Sequence, residues 1–296
     1  MKPPRDRFPV NGAIERKITV PDGPTLRSLI RGNLERGPVF VLVHGLASNA
    51  RMWDGVAAAL EAAGHSSVAI DLRGHGLSDK PDDSYDFDTV VADIVAAVHS
   101  LGVEQAILVG QSWGGNIAVH GLHQRPDVFT SGVAVDGGFI ELAKSFPSWD
   151  DCARQLQPPR LAGTRASRLE SAIRSMNSDW PESGLIGALS NFEYHEDGTL
   201  SPWLSFDRHM TILRELWMHR PSAMFSEISQ PLLFLPADSG DVSWTRNKEH
   251  AIDAALEMLE RGRAHWFRPA HHDLHAQFPD RTAHVLITHL EEGFLR

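Results

Sequence analysis

The sequence predicts a doubly wound α/β fold: a mostly parallel sheet with helices on both faces and a helical insertion between two of its later strands. Three observations carry this. Apolar runs of strand length recur at residues 39–43, 67–70, 106–109 and 133–135, and runs this short and this continuous suit strands buried on both faces. Segments 53–63, 87–101 and 115–123 alternate with them and place small and branched apolar residues at three- and four-residue spacing, the period of a helix packed on one face. From 138 to 230 this alternation stops.

Taken in order, segments 16–20 and 25–30 flank Pro21-Asp22-Gly23-Pro24 and read as an opening hairpin. The β-α alternation then runs from 39 to 135. Two further strands are expected at 232–235 and 265–267, with a helix at about 247–260 between them and a last helix from about 276 to the end. The stretch 138–230 has no clear strand but holds Trp149, Trp180, Trp203 and Trp217 with Met176, Met210, Met218 and Met224. It reads as an inserted helical cap or lid, with residues 1–137 and 231–296 forming the core. The four tryptophans are either the small core of that insertion or the lining of an apolar pocket beneath it, a role that adaptable methionines also suit.

The chain has 296 residues, 42% hydrophobic and 22% charged, which fits a single globular domain bearing an insertion. With 28 Lys+Arg against 38 Asp+Glu the net charge is −10, so phosphate backbones and anionic lipid are repelled and neither nucleic acid nor membrane is an expected partner. The single cysteine, Cys152, can form no internal disulfide and no thiolate metal site. No apolar run of signal-peptide length follows Met1, and the longest greasy run, 39–43, is far below a membrane span. A cytoplasmic protein is expected.

Chemistry concentrates at three places. Directly after the run 106–109 comes Gly110-Gln111-Ser112-Trp113-Gly114-Gly115 and then a helical segment, a G-x-S-x-G pattern in strand–turn–helix context. A nucleophilic serine must project from a tight turn, so the positions two before and two after it need glycine for strand and helix to approach. A phosphate-binding loop is the competing reading, but no Gly-Lys pair and no G-x-G-x-x-G after a strand supports it. His44-Gly45-Leu46 ends the run 39–43, where the main-chain N–H of Leu46, with that of Trp113, could hold an oxyanion. The side chain of His44 is read as a satisfied strand-end histidine. Near the C-terminus, Pro269-Ala270-His271-His272-Asp273-Leu274-His275 offers a loop base for the serine. With 16 histidines in the chain a surface cluster is the plain alternative, and His271, Asp273 and His275 could hold a metal, though no H-E-x-x-H motif and no thiolate accompanies them.

The elbow at Ser112, His44-Gly45, the turn Asp71-Leu72-Arg73-Gly74-His75-Gly76-Leu77-Ser78 and the late His272-Asp273-Leu274-His275 together resemble the α/β-hydrolase superfamily, over about 39–135 and from 231 to the end. The resemblance implies Ser112 as nucleophile and His272 as base, a structural role for the turn 73–78, and acyl chemistry without a cofactor, since members with an aspartate nucleophile carry a different residue at position 112. It also implies a triad acid after one of two strands. Asp136, followed by Gly137-Gly138, stands after the earlier one and Asp238 and Asp241 after the later one. The later turn lacks the usual glycine and offset, which favours Asp136. The expected activity is hydrolysis of a small apolar carboxylic ester or lactone. Carbon–carbon bond hydrolysis or a cofactor-free perhydrolase reaction on the same triad, and a hydrolase-fold ligand receptor, are the alternatives.

Overall fold

The computed structural model describes residues 7–296. Its main sheet is built from β1 (Ile14–Thr19), β2 (Thr25–Arg31), β3 (Val39–Val43), β4 (Ser66–Ile70), β5 (Ala106–Gln111) and β6 (Phe129–Val135). After three short strands, β7 (Thr164–Arg165), β8 (Phe192–Tyr194) and β9 (Thr199–Pro202), it is completed by β10 (Leu232–Leu235) and β11 (Gly262–Ala264). The eight strands lie in the order β1-β2-β4-β3-β5-β6-β10-β11. β1 pairs antiparallel with β2, and β2 with β4; every other neighbour is parallel.

The parallel strands are apolar throughout because both of their faces are covered. Along β3, Val39, Val41 and Val43 join one core and Phe40 and Leu42 the other; along β10, Leu232 and Phe234 face one way and Leu233 and Leu235 the opposite way. Helices α1 (Asp54–Ala62), α2 (Phe87–Ser100) and α3 (Trp113–Gln124) follow β3, β4 and β5 in turn. Between β6 and β10 lie α4 (Leu142–Ser145), α5 (Trp149–Leu156), α6 (Ala166–Met176), α7 (Glu182–Leu189) and α8 (Phe206–Met218). The chain ends with α9 (Val242–Met258), α10 (Leu274–Gln277) and α11 (Pro279–Glu291). The second core gathers Trp53, Val56 and Leu60 of the α1 side with Val285, Leu286 and Leu290 of α11.

Four expectations need correction. The segment between β6 and β10 is not free of strands: β7, β9 and β8 form a small antiparallel sheet. They are two to four residues long, too short for an apolar alternation to show. The last strand of the main sheet begins at Gly262, not at 265. At the sheet edge Arg261-Gly262-Arg263 needs no apolar run, and the apolar Phe267 comes after it, held by one bridge to Ala237. Helix α9 starts five residues earlier than its periodicity suggests because the Asp241 carboxylate accepts the N–H groups of Ser243 and Trp244 as an N-cap. The final helical segment is two helices, broken where Pro279 opens α11.

Candidate active site

Ser112 stands between β5 and α3 with φ +55°, a left-handed backbone costly for a side-chain-bearing residue. Its neighbours over-determine the turn. A Cβ on Gly110 would lie 1.8 Å from the Gly114 carbonyl oxygen, one on Gly114 2.7 Å from the carbonyl oxygens of Val43 and His44, and one on Gly137 2.2 Å from that of Ser112 itself. All three glycines are therefore steric necessities. Gly137 is a close backbone contact. The Ser112 N–H donates to Val135 O at 2.9 Å, tying the elbow to β6.

The loop after β3 is held just as firmly. The buried His44 ring accepts the Leu72 N–H at Nε2 (3.0 Å), so Nδ1 carries its proton and donates to Gly45 O at 2.8 Å. Burial lowers the pKa of His44 and keeps this neutral form, although Asp71 and the Gly45 carbonyl pull the other way. Gly45 O also accepts from Ser48 N. A trans peptide points its carbonyl and its N–H in opposite directions, so anchoring Gly45 O aims the Leu46 N–H away from these bonds. The N–H groups of Leu46 and Trp113 donate to no group among the described residues, and the latter opens α3, where helix dipole and free amides favour negative charge. The expected strand-end His44 is more than satisfied: its ring orients one of these two amides.

Asp136 follows β6 with φ +41°. Its buried carboxylate is fully engaged: Oδ1 accepts from Ala237 N (2.9 Å) and Lys248 Nζ (2.7 Å), Oδ2 from Lys248 Nζ (2.8 Å) and His272 Nδ1 (2.6 Å). Burial opposes its charge, but the His272 bond and the charges of His272 and Lys248 prevail and its pKa lies below the ordinary carboxylate value. Partial desolvation works against an imidazolium at His272, yet the hydrogen bond to Asp136 and the charges of Asp273 and Asp136 hold its pKa above the ordinary 6.5. The loop of His272 is fixed by Gln111 Nε2 donating to its carbonyl (3.3 Å) and by His271 N donating to Gln277 Oε1 (2.8 Å). Lys248 escaped sequence reasoning, because a lysine on a polar helix carries no mark of what it meets 112 residues away.

Asp238 and Asp241 do not reach His272. Asp238 accepts from Gly240 N and Thr245 Oγ1, and Asp241 caps α9. His275 turns inward, fully buried against Trp53 at 4.3 Å between ring centroids, and burial drives its pKa down to about 3. It is thus separated from His271, and no cluster of three or more metal-ligating side chains forms among the described residues. The Arg73–Ser78 turn is a scaffold: Arg73 clasps Asp93 at 2.7 and 3.0 Å, and Asp71 accepts the N–H groups of Ala50 and Leu77.

Ser112 and His272 line one cleft of about 300 Å³ with Gly45, Leu46, Gln111 and Asp273 from the core side and Ile173, Asn177, Trp180, Asn191 and Phe192 from the segment between β6 and β10. No hydrogen bond joins Ser112 to His272 among the described residues; apo sites often leave this contact open until substrate arrives. About half (53%) of the His272 side-chain surface is open. Ala47, Ser48, Asn191 and Phe192 also line a second chamber of about 380 Å³, walled by Leu161, Trp203, Leu204, Phe206 and His209. Of the four tryptophans, Trp180 lines the cleft and Trp203 the chamber. Trp149 and Trp217 pack on each other at 6.1 Å, with the Trp217 indole donating to Phe146 O, and line neither.

This geometry sets an expected result. His272→Ala removes the only ring bonded to Asp136 among the described residues, while His271→Ala spares it and His275→Ala affects packing at Trp53. Hydrolytic rates of the three variants, with thermal melting alongside, should show loss of turnover in the first alone and loss of stability chiefly in the last. A base acts in its neutral form, so wild-type activity should fall on acidification, with a midpoint above the 6.5 of a free imidazole.

A family model described as alpha/beta hydrolase fold matches residues 38–173. A Bacillus subtilis protein described as an AB hydrolase superfamily protein is 37% identical over 117 residues, 39% of this chain and 41% of that relative. The 2-(acetamidomethylene)succinate hydrolase of Mesorhizobium japonicum is 36% identical over 100 residues, 34% of this chain and 36% of the relative. A haloalkane dehalogenase of Bradyrhizobium diazoefficiens is 35% identical over 114 residues, 38% of this chain and 35% of the relative. The chain thus spans about two fifths or less of the length of these curated relatives. The crystal structure of an E-2-(acetamidomethylene)succinate hydrolase superposes with a TM-score of 0.78 over 94% of this chain and 99% of the other at 22% identity, a likeness of fold. No helix among the described residues is long and apolar enough to cross a membrane. The strand order, the strained serine turn after β5 and a family match over 38–173 that contains that turn lead to one conclusion: the chain has the α/β-hydrolase fold.

Proposed function

We propose that the protein is a serine hydrolase that opens a carboxylic ester or lactone through an acyl-enzyme. The observation that carries this is the hydroxyl of Ser112 on its strained elbow, in one cleft with a histidine bonded to a buried carboxylate. His272 Nε2 takes the hydroxyl proton as Ser112 Oγ bonds to the carbonyl carbon, and the N–H groups of Leu46 and Trp113 hold the oxyanion. The proton passes to the leaving alkoxide as the ester C–O bond breaks. Water, deprotonated by His272, then attacks the acyl-serine and releases the acid, returning the proton to Ser112. Asp136 keeps the imidazole in the tautomer with Nδ1 protonated and stabilises its cation.

The nucleophile type separates this reading from the reactions named for some relatives. Attack of a serine on an epoxide or a carbon–halogen bond would form an ether, which water cannot cleave at a carbonyl; a carboxylate nucleophile is needed there. Among the described residues the cleft lining contains no Arg or Lys, so a dianionic substrate would lack a counter-charge beside Ser112. A neutral ester with an apolar acyl or alcohol part extending into the 380 Å³ chamber fits both spaces. The segment between β6 and β10 then acts as the cap, setting substrate range. A panel of activated esters, lactones, epoxides and haloalkanes tests the class: turnover confined to the first two supports it, and turnover of only the last two refutes it. Within the esters, Trp203→Ala should lower kcat/KM for long or aromatic acyl groups about tenfold relative to acetate, whereas Trp149→Ala and Trp217→Ala leave that ratio unchanged.

A further inference from the structure

We propose that Lys248 is a positioning residue of the acid–base pair: it holds the Asp136 carboxylate in register with His272 and, by sharing its charge, limits how tightly His272 keeps a proton. This rests on the serine-hydrolase reading above. Three donors surround the carboxylate, and Lys248 supplies two of its four contacts while donating its remaining bond to Ala237 O at 2.8 Å. The lysine is buried, as is Thr245 three residues earlier on the same face of α9, whose hydroxyl donates to Asp238 Oδ1 at 2.8 Å. The cap at Asp241 thus sets the register of a helix that delivers an ammonium to the back of the catalytic carboxylate.

The electrostatic consequence follows from the charges. With Lys248 present, the lysine and Asp136 neutralise one another while His272 is neutral, and protonating His272 adds a second cation beside one carboxylate. Without the lysine, the imidazolium would be the only counter-ion of a buried carboxylate and would hold its proton more firmly. The other groups facing His272 are Asp273, which favours the imidazolium, and the neutral, buried His275. Asp238, beyond Lys248, is shared with Arg268 at 3.5 Å. Lys248 therefore leaves His272 available as a base at lower pH than an Asp136–His272 pair alone would.

The test is the pH dependence of Ser112 labelling by a fluorophosphonate, which needs no knowledge of the substrate. In Lys248→Met the acidic limb should move to higher pH, so that the ratio of labelling rate at pH 8 to that at pH 6 rises about threefold or more over wild type. Lys248→Arg, which keeps the charge, should restore the wild-type ratio at a lower absolute rate. Lys248→Gln, which keeps a donor without the charge, should behave as Met does and serves if the Met variant fails to fold. A purely structural lysine would lower the labelled fraction without moving the limb. Wild-type labelling at Ser112 with the same pH ratio in Met or Gln variants overturns the role of Lys248 alone. Absence of wild-type labelling at Ser112 overturns the serine-hydrolase reading and this proposal with it.

Discussion

Ser112→Ala is expected to leave the fold intact and to lower turnover of an activated ester by roughly 10⁴ to 10⁶, as loss of the nucleophile does in serine enzymes. Retention of the fold follows from what holds the elbow. The close approaches at Gly110, Gly114 and Gly137 and the bond from residue 112 N–H to Val135 O are all backbone contacts that alanine preserves. Residual activity should survive because the Leu46 and Trp113 amides and the binding cleft remain. Rates measured with a thermal melt of the same sample check both halves, and a variant that melts normally yet turns over within tenfold of wild type would place the nucleophile elsewhere.

Asp136→Asn carries the second large effect, and it acts twice. Catalysis should fall by about 10⁴, since an amide side chain no longer stabilises the imidazolium or enforces its tautomer. Stability should fall as well, by about 3 to 5 kcal/mol, because a buried Lys248 ammonium loses the carboxylate it holds at 2.7 Å. Rates should therefore be normalised to the folded fraction. Asp238→Asn and Asp241→Asn should keep near-normal turnover, because the first serves a loop and the second a helix cap that asparagine also fills. A crippled Asp238 or Asp241 variant beside an active Asp136→Asn would move the acid to the later strand.

What could be read from the residues alone divides by the range of the interaction involved. The parallel core was legible at 39–43, 106–109 and 232–235 because a strand buried on both faces must be apolar at every position, and the elbow because only glycine tolerates the approaches at 110 and 114. Asp136 was preferred to Asp238 and Asp241 because the later turn lacks the usual glycine and offset, while the small size of Gly137, directly after Asp136, is what the Ser112 carbonyl requires. Lys248 was not legible. Its significance depends on α9 laying one residue of a polar helix against a carboxylate at the end of β6, which no local pattern encodes. For the same reason Trp149 and Trp217 could not be told from Trp180 and Trp203: an aromatic that packs on another aromatic and one that faces a cleft follow the same spacing. His44 looked like a satisfied strand-end histidine, and it is one, but the bond that satisfies it also turns the Leu46 amide.

The most direct measurement is the mass of the enzyme quenched within milliseconds of mixing with a p-nitrophenyl ester, read together with the released phenolate. The account predicts a burst approaching one phenolate per chain and a matching gain of one acyl group, located by peptide mapping on Ser112. A linear release with no burst, no added mass at Ser112 under conditions where deacylation is slowed, or an acyl group on a different residue would contradict it.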